Sequence, residues 1–381
     1  MSAIKYLGGL KAYLARGECV NESSVFRLHY QFTVVILIGA SVLLTAAEFF
    51  GNPIDCITNL PQNVINTYCW IHSTFTIQDY FLREKGITVV EPGVGAPDPN
   101  IQEEELLEDK WRFHNYYQWV VFFLFFQAAL CYMPKFIWNN FEGGLMHTIA
   151  EGLNPGLHKE EEVSSRKKVI IDYIVKHIRM HNGYVFRYWF CELLCFVNIV
   201  GQLFLIDRFL GGEFLTYGPR VVQYSDMEQT QRYDPMIYIF PRMTKCTFHK
   251  FGPSGTLERH DAFCLLPLNI LNEKVFITIW FWYVILATLL GGLLLYRISL
   301  FTLPGLRPRA MHKHNKAVPI ETVEAIANKT SIGDWWILYV LSTNIDPIIY
   351  RDIMMKLSKE IETANSNSPY NSGGLYSSSS V

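Results

Sequence analysis

Tyr116-Tyr117-Gln118-Trp119-Val120 leads into VFFLFFQAALCYM at 121–133 and then into Pro134-Lys135. Taken from Phe113 to Met133, this run is long enough to cross a bilayer. A helix rises about 1.5 Å per residue, so about 20 residues cover roughly 30 Å of hydrocarbon. Tyr and Trp concentrate at the water interface, where the ring sits among headgroups and the hydroxyl or indole N–H stays wet. Tyr116, Tyr117 and Trp119 are therefore expected to mark one edge of a span, with Lys135 snorkelling at the other. An amide facing lipid would lack partners, so Gln118 is expected to turn toward a neighbouring helix or subunit.

Three more runs of this kind follow from the rest of the chain: Gln31–Phe50, Tyr184–Ile206 and Val275–Tyr296. The last carries no charge, whereas the third contains Arg187, Glu192, Asn198 and Gln202. With 50% hydrophobic and only 18% charged residues in 381, the composition argues against a set of soluble domains, whose helices rarely run this far without a polar face. The expected fold is an all-α membrane protein with four transmembrane helices, at 28–50, 113–133, 184–206 and 275–296. Met1–Arg27 lacks the apolar core of a signal peptide, so the first span is expected to act as its own insertion signal.

Basic residues beside the spans set the orientation. Segments 1–27, 134–183 and 297–364 carry the clusters, among them Lys5, Lys11, Arg166-Lys167-Lys168 and Arg307, and are expected in the cytoplasm. Segment 51–112 has ten acids against four bases, and with 207–274 it is expected outside. Within the first outer segment, the breakers of 91–99 read as a loop and Glu103-Glu104-Glu105 as a solvated face. On the inner side, Val169, Ile170, Tyr173, Ile174 and Ile178 fall at helical spacing and need a partner surface. Ser331 with Asp334, and Asp346-Pro347, read as helix starts, while 335–341 is too short to be a fifth span. Residues 365–381, dominated by Asn, Ser and Gly, read as a disordered tail.

At this point the sequence matches something specific. YYQWV at the start of the second span, MSAIKYLGGLKAYL at the N-terminus, two cysteines in each outer segment, the stretch CTFHKFGPSGTLERHDAFCLLPLNILNEK at 246–274 and WFWY at 280–283 resemble the innexins, the invertebrate gap-junction proteins. The resemblance implies a plasma-membrane protein at gap junctions. About eight subunits, of this chain or mixed with other innexins, would ring a pore among membrane lipids and dock with the hemichannel of a neighbouring cell. It also implies that Met1 to about Tyr13 folds into the cytoplasmic mouth, making Ser2, Ile4 and Lys5 candidates for a constriction. The first span would line the rest of the path, with Glu48 a lone acid where water begins.

Eight cysteines divide by compartment, and only Cys56, Cys69, Cys246 and Cys264 face an oxidising space. None of their spacings is a CxxC pair, which speaks against zinc. Four cysteines allow three connectivities. Cys56 lies six residues beyond Phe50 and Cys264 eleven before Val275. Matching cysteines by height above the membrane therefore pairs Cys56 with Cys264 and Cys69 with Cys246. Cys191 and Cys195 share a stripe with Asn198 and Gln202 and read as positions packed inside the bundle.

No phosphate-binding glycine motif, HExxH or His–carboxylate metal spacing is present, so no catalytic residue, cofactor, metal or nucleic-acid partner is expected. His147, His158, His177, His181, His312 and His314 fall on the inner side, where surface histidines are usually passive. Two rivals to a docked channel remain: an undocked, pannexin-like hemichannel releasing ATP, and a tetraspan adhesion or scaffold protein without a pore. The N-x-[ST] matches, Asn21-Glu22-Ser23 and Asn328-Lys329-Thr330, both fall on the inner side. Outer segments without sugar favour docking, which a glycan would obstruct.

Overall fold

The computed structural model describes residues 19–95, 111–151, 153, 160–226 and 235–366. The expectations for Ser2, Ile4, Lys5, Glu103–Glu105, His158 and 367–381 lie outside the described residues. Helices dominate, and four of them are long and apolar enough to cross a membrane: α1 (Ser24–Phe50), α3 (Val120–Glu142), α6 (Asn182–Phe209) and α9 (Leu268–Thr302). Each extends beyond the apolar run that announces it at one end or both, but α3 also starts seven residues after Phe113. The reason is local. Phe113 belongs to strand β3 (Trp111–His114), where it pairs with Phe75 of β2 (Thr74–Ile77), and 115–119 form the turn before the helix.

Among the described residues the chain divides into two compact units. One comprises 28–133 and 195–289. Here the segments between the long helices fold into something an all-helical expectation does not contain, a five-stranded antiparallel sheet in the order β1-β5-β4-β2-β3. Its centre is a hairpin of β4 (Met243–Phe251) and β5 (Leu257–Leu265), turned through Gly255 at a φ of +76°. Thr244, Cys246, Ala262 and Cys264 are buried, and residues between them along each strand are more open, the period-2 pattern of a half-buried sheet. Strand β1 (Asp55–Ile57) adds at one edge, and helix α2 (Gln62–His72) follows it. In β3, His114 is buried and shares a 2.9 Å hydrogen bond with Thr76. Burial, aided by Arg112, pushes its imidazole down to about 3, so the ring is neutral.

Inside this unit the polar residues of α6 find partners on α3. Pro134 has no N–H, so the carbonyl of Leu130, four residues earlier, lacks its helical donor. Asn198 Nδ2 donates to that carbonyl at 3.1 Å, while Asn198 Oδ1 lies 3.3 Å from His29 Nε2 and accepts from Cys131 Sγ at 3.5 Å. One turn on, Gln202 Nε2 donates to the carbonyl of Gln127 at 3.4 Å.

The second unit comprises residues to Arg27, 134–194 and 290 onward. Its centre is α12 (Ile332–Asn344), which buries Trp335, Trp336, Ile337, Leu338 and Leu341. Ser331 and Asp334 form the capping box that their spacing announces. Asp346 accepts from the N–H of Ile348 at 2.9 Å and so opens α13 (Pro347–Ser366). The amphipathic helix α5 (Glu160–Lys176) packs on α13 through Ile170, Ile171 and Ile174, and Lys167 pairs with Asp352 at 3.0 Å. Val169, expected on that stripe, is 65% exposed, because the buried face runs through 170, 171 and 174 and leaves 169 at its margin.

A buried ion pair also lies in this unit. Arg297 of α9 meets Glu192 of α6 through two hydrogen bonds, 2.8 and 3.0 Å, and its guanidinium lies 4.5 Å from the ring of Trp336. Ser23 Oγ donates to the same carboxylate at 3.0 Å, and the Ser23 N–H donates to the Tyr188 hydroxyl at 2.7 Å. Glu192 is the acid that makes the third apolar run look doubtful in sequence. Fully paired, it is tolerable at that depth.

Two outcomes are expected from these contacts. Glu192→Ala leaves Arg297 buried and alone, and should lower stability by about 3–5 kcal/mol, with Glu192→Gln plus Arg297→Met recovering most of it in thermal unfolding of the purified protein. Asn198→Leu should cost about 1 kcal/mol, and less in a Pro134→Ala background, where the restored N–H supplies the Leu130 carbonyl. Equal costs in both backgrounds would separate Asn198 from the proline.

Candidate functional site

The two disulfides organise the sheet unit. Cys56 and Cys264 sit directly opposite in the register of β1 and β5, with Cα atoms 4.0 Å apart, and Cys69 of α2 joins Cys246 of β4. These are the pairs that matching by height selects. All four sulfurs are buried in a cluster with Ile54, Ile65, Ala262 and Leu266. Cys56, Cys69 and Cys264 bring their sulfurs within 4.8 Å of one another, but each is committed to a covalent bond and has no thiolate to offer a metal. Asn66 Oδ1 accepts from the Cys56 N–H at 2.9 Å, which ties α2 to β1 directly.

The pentapeptide departs from its expected role. Tyr117 is buried, stacks on Trp70 with ring centroids 4.6 Å apart, and donates through its hydroxyl to the Cys69 carbonyl at 3.4 Å. Gln118 Nε2 donates to the Trp70 carbonyl, so its amide turns to a neighbouring helix, α2, of its own chain. Tyr116 donates to the Ile239 carbonyl at 3.2 Å and meets Phe240 edge-on. Tyr117 is thus buried and Tyr116 half-buried, and both hydroxyls are taken up by carbonyls of the protein. They clasp the second loop segment and α2 because carbonyls in the last turns of two short helices, α2 and Pro235–Ile239, need donors. Only Trp119, 63% exposed, keeps the surface position expected of an interface anchor, and Val120 is buried at the start of α3.

Glu48, near the end of α1, lines an open cleft of about 350 Å³ together with Trp70, Ile71, Gln118, Trp119 and Phe122. Cys131, Cys191 and Cys195 are buried and form no disulfide, and for Cys191 and Cys195 burial is what their stripe suggests. On the β4–β5 hairpin charges answer one another, Lys245 with Asp261 at 3.5 Å and Lys250 with Glu258 at 3.5 Å, and His260 Nε2 lies 3.3 Å from Glu258. Trp70 and Asn66 are the residues that sequence reasoning overlooks. Their signal is their nearness to Cys69 on a short helix with Ile65 and Cys69 on one face.

With the stapled loops and four apolar helices in view, comparison with known proteins has a definite outcome. A family model described as Innexin matches residues 22–361. The chain belongs to the innexin family. It is 52% identical to Innexin inx1 of Schistocerca americana over 366 residues, 96% of this chain and 99% of that protein. Innexin inx1 of Drosophila melanogaster is 48% identical over 94% of this chain and 97% of its own length. Innexin shaking-B of Drosophila melanogaster is 42% identical over 93% and 94%. This innexin is thus a multi-pass membrane protein whose matched region takes in both disulfides, the pentapeptide and α12.

The disulfides give a direct expectation. Unreduced peptide mapping should recover Cys56 joined to Cys264 and Cys69 joined to Cys246. Serine at either member of a pair should lower stability by about 2–4 kcal/mol. Loss of reductant sensitivity in thermal unfolding is expected only when both pairs are removed.

Proposed function

We propose that this chain is a gap-junction channel subunit, whose hemichannels dock between cells and pass ions and small solutes with weak selectivity. The observation that carries this reading is the double disulfide brace, which makes one block of two loop segments in a four-helix innexin. A docking face has to meet its counterpart without paying much ordering entropy, and a stapled sheet is already ordered. One four-helix bundle cannot enclose a wide aqueous path, so several subunits, about eight in this reading, ring it. This reading holds for a ring of identical chains and for one shared with other innexins. Both termini and the helical unit lie in the cytoplasm, following the basic residues, and the braced sheet lies outside.

Ser2, Ile4 and Lys5 form the constriction in this reading, and Glu48 with the acidic segment 51–112 enriches cations at the outer mouth. In a wide pore, ions pass about a Debye length, roughly 8 Å at physiological salt, from many wall charges, so selectivity stays weak. An undocked hemichannel of pannexin type shares all of this except the partner, and a poreless adhesion protein shares only the brace.

Paired cells expressing the chain separate these readings. Current between the two interiors under dual voltage clamp is expected, and a mild cation preference in undocked hemichannels should increase with Lys5→Glu. Transmembrane current without intercellular current would assign the undocked role, and adhesion without either current would remove the pore.

A further inference from the structure

The cleft beside the pentapeptide has a chemistry that bracing and docking leave unused. Its walls come from three elements: Glu48 of α1, Trp70 and Ile71 of α2, and Gln118, Trp119 and Phe122 at the head of α3. Three of the six are aromatic, two of them indoles, and no Lys or Arg is among them. The Glu48 carboxylate is half-buried, and among the described residues it has neither an ion pair nor a hydrogen bond. Gln118 commits its Nε2 to the Trp70 carbonyl, which leaves its Oε1 as an acceptor.

The cleft therefore offers one negative charge, one amide acceptor and several π faces. An anion would be repelled. A neutral apolar ligand would cover Glu48 and leave it unpaired, at the desolvation cost of a lone carboxylate. A cation with a small apolar body meets both demands: the carboxylate neutralises it, and indole faces attract it through their quadrupoles. The seat is also well held. Trp70 is stacked on Tyr117 and follows disulfide-bonded Cys69, so its ring is fixed before any ligand arrives. A volume of about 350 Å³ suits one small molecule.

We propose that this cleft binds small organic ammonium ions, quaternary or protonated, between Glu48 and the indoles of Trp70 and Trp119. The same group occurs on free solutes and on choline headgroups of lipids. Exposed Phe49, Phe50 and Phe122 near the cleft give a lipid's apolar part a surface to follow. Binding is independent of conduction, so this site stands or falls apart from the channel reading.

The test uses the full chain purified in maltoside detergent and radiolabelled choline in equilibrium binding. Saturable binding at one site per chain is expected, with no competition from the neutral isostere 3,3-dimethylbutan-1-ol. Glu48→Gln, which keeps the shape, should weaken binding by about tenfold, Trp119→Ala should do likewise, and Trp119→Phe should retain most of it. Repeating the titration in phosphatidylcholine nanodiscs identifies the source: loss of choline binding there assigns the site to lipid headgroups, and unchanged binding assigns it to soluble amines. Absence of saturable binding in detergent, competition by the neutral isostere, or a Glu48→Gln protein that binds choline as well as the parent would overturn the proposal. If Trp119→Ala fails to fold, Glu48→Gln alone decides.

Discussion

Cys69–Cys246 closes 177 residues of chain and Cys56–Cys264 closes 208, and the arrangement of the sheet unit depends on those two bonds. Strands of three and four residues, such as β1 and β3, are too short to hold a sheet edge by backbone pairing alone. Cross-linking removes the loop entropy that would otherwise oppose bringing the two segments together. With α2 fixed by Cys69, its last carbonyls become fixed acceptors, and Tyr117 and Gln118 use them to set where α3 begins. The cleft of Glu48, Trp70 and Trp119 lies beside that junction, so its walls derive their order from the same covalent constraint.

The other unit is organised by charge rather than sulfur. Three ties fix the chain that leads into α1. Asn344 grips Val20 with both ends of its amide: Oδ1 accepts from the Val20 N–H at 2.6 Å and Nδ2 donates to the Val20 carbonyl at 2.9 Å. Glu22 pairs with Lys135, and Ser23 reaches Glu192 and Tyr188. Arg297, Trp336 and Asp334 link the same neighbourhood to α12. Burial alone would raise the Asp334 carboxyl, but hydrogen bonds from His181, the Arg179 N–H and Ser331 outweigh it and hold it below the usual range. Asp334 is thus ionised at neutral pH, as its capping role requires. The residues preceding α1 are anchored on α3, α6 and α12 before α1 begins.

Much of this was legible in sequence, and the pattern of success is physical. Length and hydropathy announce the four long helices because hydrocarbon leaves few alternatives. Ser331-x-x-Asp334 and Asp346-Pro347 are read correctly because a cap is settled within a few residues. The cysteine pairing is legible because Cys56 and Cys264 lie near the ends of spans, whose positions are already known, while Cys69 and Cys246 lie farther along their loops. Phe113 misleads because an apolar strand residue next to an apolar helix looks like more helix, and only Phe75, far away in sequence, says otherwise. The contacts of Tyr116 and Tyr117 are invisible in sequence for the same reason. An aromatic rim and an aromatic clasp have the same composition, and the difference is a carbonyl 48 residues upstream in the case of Tyr117. Ser2, Ile4 and Lys5 remain expectations, and Glu48 gains surroundings that no spacing in the sequence specifies.

The stripe Asn198–Gln202 shows how one local defect can dictate a distant residue. Pro134 costs α3 a hydrogen bond at Leu130, and in water that carbonyl would simply hydrate. In a helix that crosses hydrocarbon it cannot, so a donor must come from a neighbour. Asn198 supplies it at 3.1 Å. A polar residue that weakens the case for the third span when read alone is therefore the complement of a proline in the second. The pairing does more than satisfy an acceptor, because an amide aimed at one unpaired carbonyl selects one sliding position of α6 along α3, whereas apolar side chains alone accept several. Gln202 repeats the contact one turn away at Gln127. Two amides one turn apart, matched to two carbonyls, set axial register, and register in turn places Arg208 and Phe209 at the end of α6 where Phe209 stacks on Phe123 of α3, centroids 4.1 Å apart.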